Sequence, residues 1–255
     1  LRIEDLDIRA HNPQYTSLLL DDLQWLGLTW DRGPFFQSKR TELYQDALLK
    51  LKQQVLLYPC FCSRADLHAA QAPHASDGAY VYAGTCRDLS KSEREELSKH
   101  KIPATRIRVA NKTYAFEDKV YGQTSQNLAE SCGDFIVQRA DGVFAYQLAV
   151  VVDDADMGVT EVVRGSDLLS STPRQLYLQD VLGFSHPIYA HLPLLVAPDG
   201  RRLSKRNHDL DLGVLRDQGK TPEEILGFLA YCIGLAEKEE PLSAVQVANR
   251  FSWDV

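Results

Sequence analysis

Helix-period and strand-like segments alternate along this chain from one end to the other, and that alternation limits the possible folds more than any other feature. The opening "LRIED" reads as a strand running into a loop. "PQYTSLLLDDLQWLGL" then sets Leu18, Leu19, Leu23 and Leu26 near helical spacing, with Thr16 as the expected cap and Gly27 as the stop. After the turn "TWDRGPFF", "SKRTELYQDALLKLKQQ" repeats the pattern with Leu43, Ala47, Leu48 and Leu51 on one face. From residue 104 onward, "ATRIRVANKTYAFEDKVYG" and "GDFIVQRADGVFAYQLAVVVDD" are rich in Val, Ile, Tyr and Phe and are broken by turns such as Asp141-Gly142. Both stretches are expected to be strands. "TEVVRGSDLLSSTPRQLYLQDVLGF" predicts a strand ending at Arg164, a glycine turn, and a helix with Pro173 in its first turn. "IYAHLPLLVAPDG" predicts an apolar strand and a Pro-Asp-Gly turn. "TPEEILGFLAYCIGL" opens a helix with Thr221 and Glu224 in capping-box spacing and Pro222 at the first helical position. The order of elements predicts an α/β fold with a mostly parallel sheet.

At 255 residues the chain is long enough to bury a core as one large domain or two smaller ones. No stretch approaches the run of about 18 apolar residues that a membrane helix needs, and the first residues are charged. The chain is therefore expected to be cytoplasmic, with no membrane partner and nothing that demands more than a monomer. Five cysteines is an odd number, which favours reduced thiols or metal ligands over a disulfide framework. A net charge of −7 argues against indiscriminate binding to nucleic acid, which requires many cations on the phosphates. A local basic patch survives in "GRRLSKRNHD", with Arg201, Arg202, Lys205 and Arg206 close together. The charged run "LSKSEREELSKHK" reads as the solvated face of a helix.

Three groups of residues could carry chemistry. Cys60, Cys62 and Cys86 bring a close thiol pair and a third thiol into one window, which suits a tetrahedral Zn²⁺ site. On ligand chemistry the fourth donor is His74 first, then Tyr80, Tyr82 or Asp77; three buried thiols without metal are the alternative. Cys132 and Cys232 stand alone in apolar stretches and read as core thiols. In the basic loop, Lys205 could follow developing phosphate charge while Ser204 and backbone amides add hydrogen bonds; a solvated turn is the alternative. Glu4, Tyr146 and Arg164 are polar groups expected at the ends of strands, where an open α/β sheet binds its ligands. An arginine there can grip a carboxylate, a glutamate can hold an ammonium and a tyrosine can orient either, so an amino acid would satisfy all three. Taken singly, each reads as a surface ion pair or a half-buried tyrosine.

In this order, "RIEDLD", "LGLTWDRGPFFQS", "CFC", "AYQLAVVVDDADMGVTEVVRGSDLLSSTPRQ" and "RLSKRN" resemble the catalytic half of class I glutamyl-tRNA synthetases, from residue 1 to about residue 235. Within that group the chain resembles the short paralogues that modify tRNA(Asp): it stops soon after the lysine loop, and its cysteine window ends in Tyr-x-x-x-Cys. The resemblance implies a Rossmann-type domain with a small zinc-binding insert and a C-terminal helical stem-contact region. It implies ATP-dependent activation of glutamate, with Mg²⁺, to glutamyl-adenylate, and transfer to queuosine in the anticodon of tRNA(Asp). By position, Glu4, Tyr146 and Arg164 match glutamate contacts, and Arg202, Leu203, Ser204, Lys205 and Arg206 match the ATP-binding loop, with Lys205 on the phosphates. The family usually opens that loop with Lys, where this chain has Arg202. Cys60, Cys62, Tyr82 and Cys86 fall where the family binds structural zinc, so on resemblance Tyr82 displaces His74.

The implied organisation is residues 1–57 as part of the catalytic domain and 58–100 as the zinc insert. Residues 101–190 hold the rest of the insert and the second half of the catalytic domain, and 191–255 the lysine loop and helical end. The family's His-x-Gly-His-like signature is absent from these residues, so further residues carrying it are expected upstream of Leu1. A catalytic fragment of a glutamyl-tRNA synthetase and a non-catalytic RNA-binding paralogue are the competing readings.

Overall fold

A computed structural model describes residues 1–7, 12–63, 66, 81–196 and 212–253. The first helix, Pro13–Trp25, begins directly after Asn12, whose side chain accepts from the Gln14 backbone N–H at 3.0 Å. The expected cap, Thr16, instead lies inside the helix. Pro13 explains the shift, since its fixed φ and missing N–H suit the first helical position and place the cap one residue before it. Gly27, with φ +74°, ends the helix as expected.

The chain divides into two units, Leu1–Phe36 with Pro193–Val255, and Gln37–Leu192. In the first, β1 (Arg2–Ile3) pairs in parallel with β2 (Phe35–Phe36). Its helices include Leu212–Asp217, Pro222–Cys232 and Ala244–Arg250. Thr221 and Glu224 form the predicted capping box. Gly227 lets the helix meet residue 240, because a Cβ there would collide with the Glu240 carbonyl. Cys232 is exposed, which corrects its reading as a core thiol: it follows the buried stripe of Leu226 and Ala230 on the helix, not within it.

The second unit holds two sheets. β3 (Leu57–Cys60), β4 (Ala104–Ile107) and β7 (Phe135–Gln138) form an antiparallel sheet in the order β3-β4-β7. β5 (Thr113–Asp118), β6 (Gly122–Asn127), β8 (Glu161–Gly165) and β9 (Ile188–Leu192) form the other, in the order β6-β5-β9-β8. There β8 and β9 run parallel over five residue pairs, β5 meets β9 in parallel at Asp118↔Tyr189, and β5 pairs antiparallel with β6. The helix Thr172–Leu182 packs on β5 and on the helices Thr41–Gln53 and Tyr146–Asp156. It is buried along most of its length, including Gln175 and Gln179.

The stretch "YQLAVVVDD" forms that helix, Tyr146–Asp156, and not a strand. Leu148 through Asp153 are all buried, so nearly every side of the helix faces protein. Such a helix shows no polar stripe, and its valines mimic the composition of a buried strand. Packing overrides the weak helix preference of the β-branched residues. The fixing contact is Asp153, which accepts from Gln37 Nε2 (2.8 Å), Tyr44 Oη (2.8 Å) and Arg40 Nε (2.7 Å). Among the described residues, no helix is long and apolar enough to cross a membrane.

Candidate functional site

The cysteine window is built on the edge of the antiparallel sheet. Cys60 ends β3, Cys62 follows it, and Cys86 returns in the turn after Tyr82. Tyr82 is placed by a bridge to Gly133 and by its N–H to the Cys132 carbonyl at 3.1 Å. Gly133 has φ +63°, and a Cβ there would strike the Tyr82 carbonyl, so the approach requires glycine. The three sulfurs lie within 4.8 Å of one another, with Cys62 and Cys86 at 3.6 Å. A tetrahedral Zn²⁺ with bonds of about 2.3 Å separates its sulfurs by about 3.8 Å, so the set fits. Tyr82 Oη lies 3.7 Å from Cys60 Sγ and accepts from the Cys86 backbone N–H at 2.7 Å, which puts an oxygen beside the sulfurs. His74, Tyr80 and Asp77 lie outside the described residues.

The electrostatics around these thiols are directional. Arg106, 4% exposed, donates Nε to Cys60 Sγ at 3.0 Å and Nη1 to the Asp134 carbonyl at 2.7 Å, and its guanidinium lies 3.7 Å from the Tyr82 ring centre. Burial alone would raise the Cys60 thiol, but the Arg106 charge and hydrogen bond outweigh it and hold Cys60 below the ordinary thiol range. Burial, the bond to Cys86 and the neighbouring Cys60 push Cys62 up to about 12. Behind the window, buried Asp134 accepts from Tyr58 Oη (2.6 Å), Arg87 Nε (2.7 Å) and the Val109 N–H (2.7 Å). Arg87 directly follows Cys86, so this carboxylate ties the end of the window to the sheet.

The second cluster lies where β8 and β9 end. Arg164 and His191 are partners in the parallel ladder. Arg164 Nε donates to His191 Nε2 at 3.0 Å, and Nη2 donates to Thr172 Oγ1 at 2.9 Å and to the Leu168 carbonyl at 3.4 Å. The guanidinium stands 5.4 Å from the ring centre of Tyr189. The phenol of Tyr189 is held above its usual range, first by burial, with Tyr146 adding to the rise and Arg164 opposing it. Tyr146 is the first residue of its helix and not a strand end, and its ring is partly exposed. Glu4 belongs to the other unit, where it is exposed and pairs with Arg2 at 3.5 Å. Arg202, Leu203, Ser204, Lys205 and Arg206 lie outside the described residues.

Arg164 has no carboxylate partner among the described residues. The side chains that hold it, His191 and Thr172, and Asp118 behind His191, are not among those the sequence points to. A signal existed at His191, a polar residue inside the otherwise apolar and aromatic β9, and buried polar groups require partners.

The chain belongs to a class of RNA-charging enzymes: residues 1–255 match the family described as tRNA synthetases class I (E and Q), catalytic domain. At the level of fold, the chain superposes over its whole length on the glutamate-tRNA synthetase of Elizabethkingia anophelis, with TM-score 0.80 and 23% identity, covering 59% of that chain. Sequence likeness is narrower. The chain is 48% identical over 255 residues to the glutamyl-Q tRNA(Asp) synthetase of Symbiobacterium thermophilum, covering 95% of this chain and 78% of that protein. It is 46% identical over 246 residues to that of Nitratidesulfovibrio vulgaris, covering 92% and 76%, and 42% identical over 273 residues to that of Rhodopirellula baltica, covering 99% and 82%. The chain belongs to the glutamyl-Q tRNA(Asp) synthetases.

Proposed function

We propose that this chain is a ligase that activates glutamate with ATP and transfers the glutamyl group to queuosine in tRNA(Asp). The observation that carries the proposal on the structural side is Arg164, a cation held in place by neutral partners at the strand ends; Tyr146 is a second proposed contact to the glutamate. A guanidinium so placed can bind a substrate carboxylate in a charge-assisted pair. Glu4 is the proposed partner of the substrate ammonium.

Activation joins a glutamate carboxylate oxygen to the α-phosphorus of ATP as the bond to pyrophosphate breaks. The step needs positioning and charge neutralisation, not a protein nucleophile. Lys205, in the loop Arg202–Arg206, is the proposed contact to the phosphates, with Mg²⁺ accompanying ATP. In the second step the glutamyl carbonyl passes to the nucleoside and AMP leaves. The helical C-terminal stretch is the proposed contact to the RNA stem.

Cys60, Cys62, Cys86 and Tyr82 are the proposed zinc ligands. Bound zinc would close the window structurally, since four protein ligands leave no open coordination position. Its job in this reading is to hold a small insert in shape beside the catalytic sheet.

Glutamate-dependent exchange between ATP and pyrophosphate tests the proposal, measured first without and then with tRNA. Exchange without tRNA, followed by glutamyl transfer to queuosine-containing tRNA(Asp), is the expected result. Exchange that requires tRNA would indicate an ordinary glutamyl-tRNA synthetase fragment. No exchange under either condition would leave an RNA-binding role.

A further inference from the structure

We propose that His191, held by Asp118, is a positioning residue for the amino-acid substrate: it fixes the Arg164 guanidinium in one orientation without neutralising it. The inference rests on reading Arg164 as the carboxylate-binding group.

The proton positions follow from the donors. Arginine carries only N–H donors, so the bond from Arg164 Nε to His191 Nε2 at 3.0 Å makes Nε2 an acceptor. The imidazole hydrogen is then on Nδ1, where it is donated to Asp118 Oδ2 at 2.6 Å. The other Asp118 oxygen accepts from the backbone N–H groups of Val120 (3.0 Å), Tyr121 (3.0 Å) and His191 (3.2 Å). Burial opposes its ionisation, yet these bonds hold the carboxyl below its ordinary range. Burial and the Arg164 charge together hold the imidazole below its ordinary range against the pull of Asp118, in keeping with a neutral ring. The chain of bonds therefore has one direction, from Arg164 through a neutral His191 to an ionised Asp118.

His191 and Asp118 side chains are wholly buried, so neither can touch a ligand; any influence passes through Arg164. A carboxylate bonded directly to Arg164 would compete with a substrate carboxylate. An imidazole supplies the same orienting acceptor while leaving the positive charge for a ligand. Thr172 Oγ1 and the Tyr189 ring define the guanidinium plane from other sides.

Steady-state exchange kinetics on Asp118→Asn, His191→Leu and His191→Gln, each beside Arg164→Ala, test the inference. An asparagine amide can donate to Nδ1 and move the imidazole hydrogen to Nε2, which sets N–H against N–H at Arg164. Asp118→Asn and His191→Leu should each raise the glutamate KM about tenfold or more with the ATP KM within about twofold, as loss of orientation predicts. His191→Gln, which keeps an acceptor for Arg164, should recover most of that loss. If Arg164→Ala leaves the glutamate KM unchanged, the reading of Arg164 itself falls. If Arg164→Ala raises it but shape-preserving Asp118→Asn does not, the positioning role falls and the reading of Arg164 stands. Equal changes in both KM values, or no recovery in His191→Gln, would also overturn the positioning role, because general loosening of the fold would explain them.

Discussion

Arg106 and Arg164 both project from strands of the same unit, yet their charges meet opposite fates. Arg106 is enclosed at 4% exposure, bonded to the Cys60 sulfur and stacked on Tyr82. Arg164 is only partly buried and is held by an imidazole, a hydroxyl and a carbonyl, none of them charged. One cation is shut inside the protein, where it draws the Cys60 thiol toward ionisation and supports a built cluster. The other is oriented but left with its charge available, the arrangement expected of a group that awaits an anion. What separates a structural arginine from a binding one here is enclosure, more than the number of hydrogen bonds.

The largest expected effect comes from removing the enclosed charge. Arg106→Met leaves the Cys60 sulfur without its cation and the Asp134 carbonyl without its donor. The cost should be about 3 to 5 kcal/mol, from two buried hydrogen bonds to a charged donor at about 1.5 to 3 kcal/mol each. Under the zinc reading proposed above, zinc affinity should fall about 10- to 100-fold, as loss of a group outside the ligand shell does elsewhere. Denaturant midpoints and chelator competition measure the two effects separately. A variant as stable as the parent would break the comparison at its root.

Asp134→Asn should cost somewhat less, about 2 to 3 kcal/mol, by weakening the bonds from Arg87, Tyr58 and Val109. Its pH dependence gives a further check. Burial works against the Asp134 carboxylate, but Arg87, Tyr58 and Val109 outweigh it and depress its titration. Stability from a depressed carboxyl is present above its unfolded pKa of about 3.9 and lost as pH falls through the folded value. The parent's advantage over Asp134→Asn should therefore hold at neutral pH and shrink on acidification below about pH 4. An advantage independent of pH would assign the effect to shape alone.

Arg164→Met should cost only about 1 kcal/mol of stability, while the glutamate KM rises sharply. Its partners are neutral, and Thr172 Oγ1, already 3.4 Å from His191 Nε2, can turn its hydroxyl toward the vacated acceptor. Stability and activity should thus separate at Arg164 and fall together at Arg106. Thermal melts paired with glutamate titrations would show the separation; a large loss of stability at Arg164 would make it a second structural arginine.

The sequence exposed the ends of these arrangements better than their middles. The thiols, Tyr82, Arg164 and Tyr146 stand in recognisable local strings, and the capping box of Thr221 and Glu224 follows from spacing alone. Asp118 meets His191, and Asp134 meets Tyr58 and Arg87, only after strands far apart in the chain come together, so no local pattern marks those pairs. The helix at Tyr146–Asp156 resembles a strand in sequence for a different reason: nearly all its sides face protein, and the periodicity that would reveal it is erased by burial. Asn12 is a local cap that Pro13, directly after it, marks in the sequence.

The smallest expected effect sets the scale for the others. Lys112 pairs with Asp180 at 3.1 Å and lies 4.5 Å from the centre of the Tyr114 ring, so by contacts alone it is better matched with opposite charge than Arg164. Its side chain is 56% exposed, however, and water and salt screen what the carboxylate offers. Lys112→Met should therefore change stability by at most about 1 kcal/mol, the upper end for exposed ion pairs, and the change should fade further in high salt. If unfolding in low and high salt instead showed a loss near that of Arg106→Met, proximity to a carboxylate would rank above enclosure. The contrast between Arg106 and Arg164 would then have to be drawn on pairing alone. A small, salt-sensitive loss would place enclosure first: the protein's stability then depends on charges it has shut away from water, and its solvent-facing cations remain free to serve ligands.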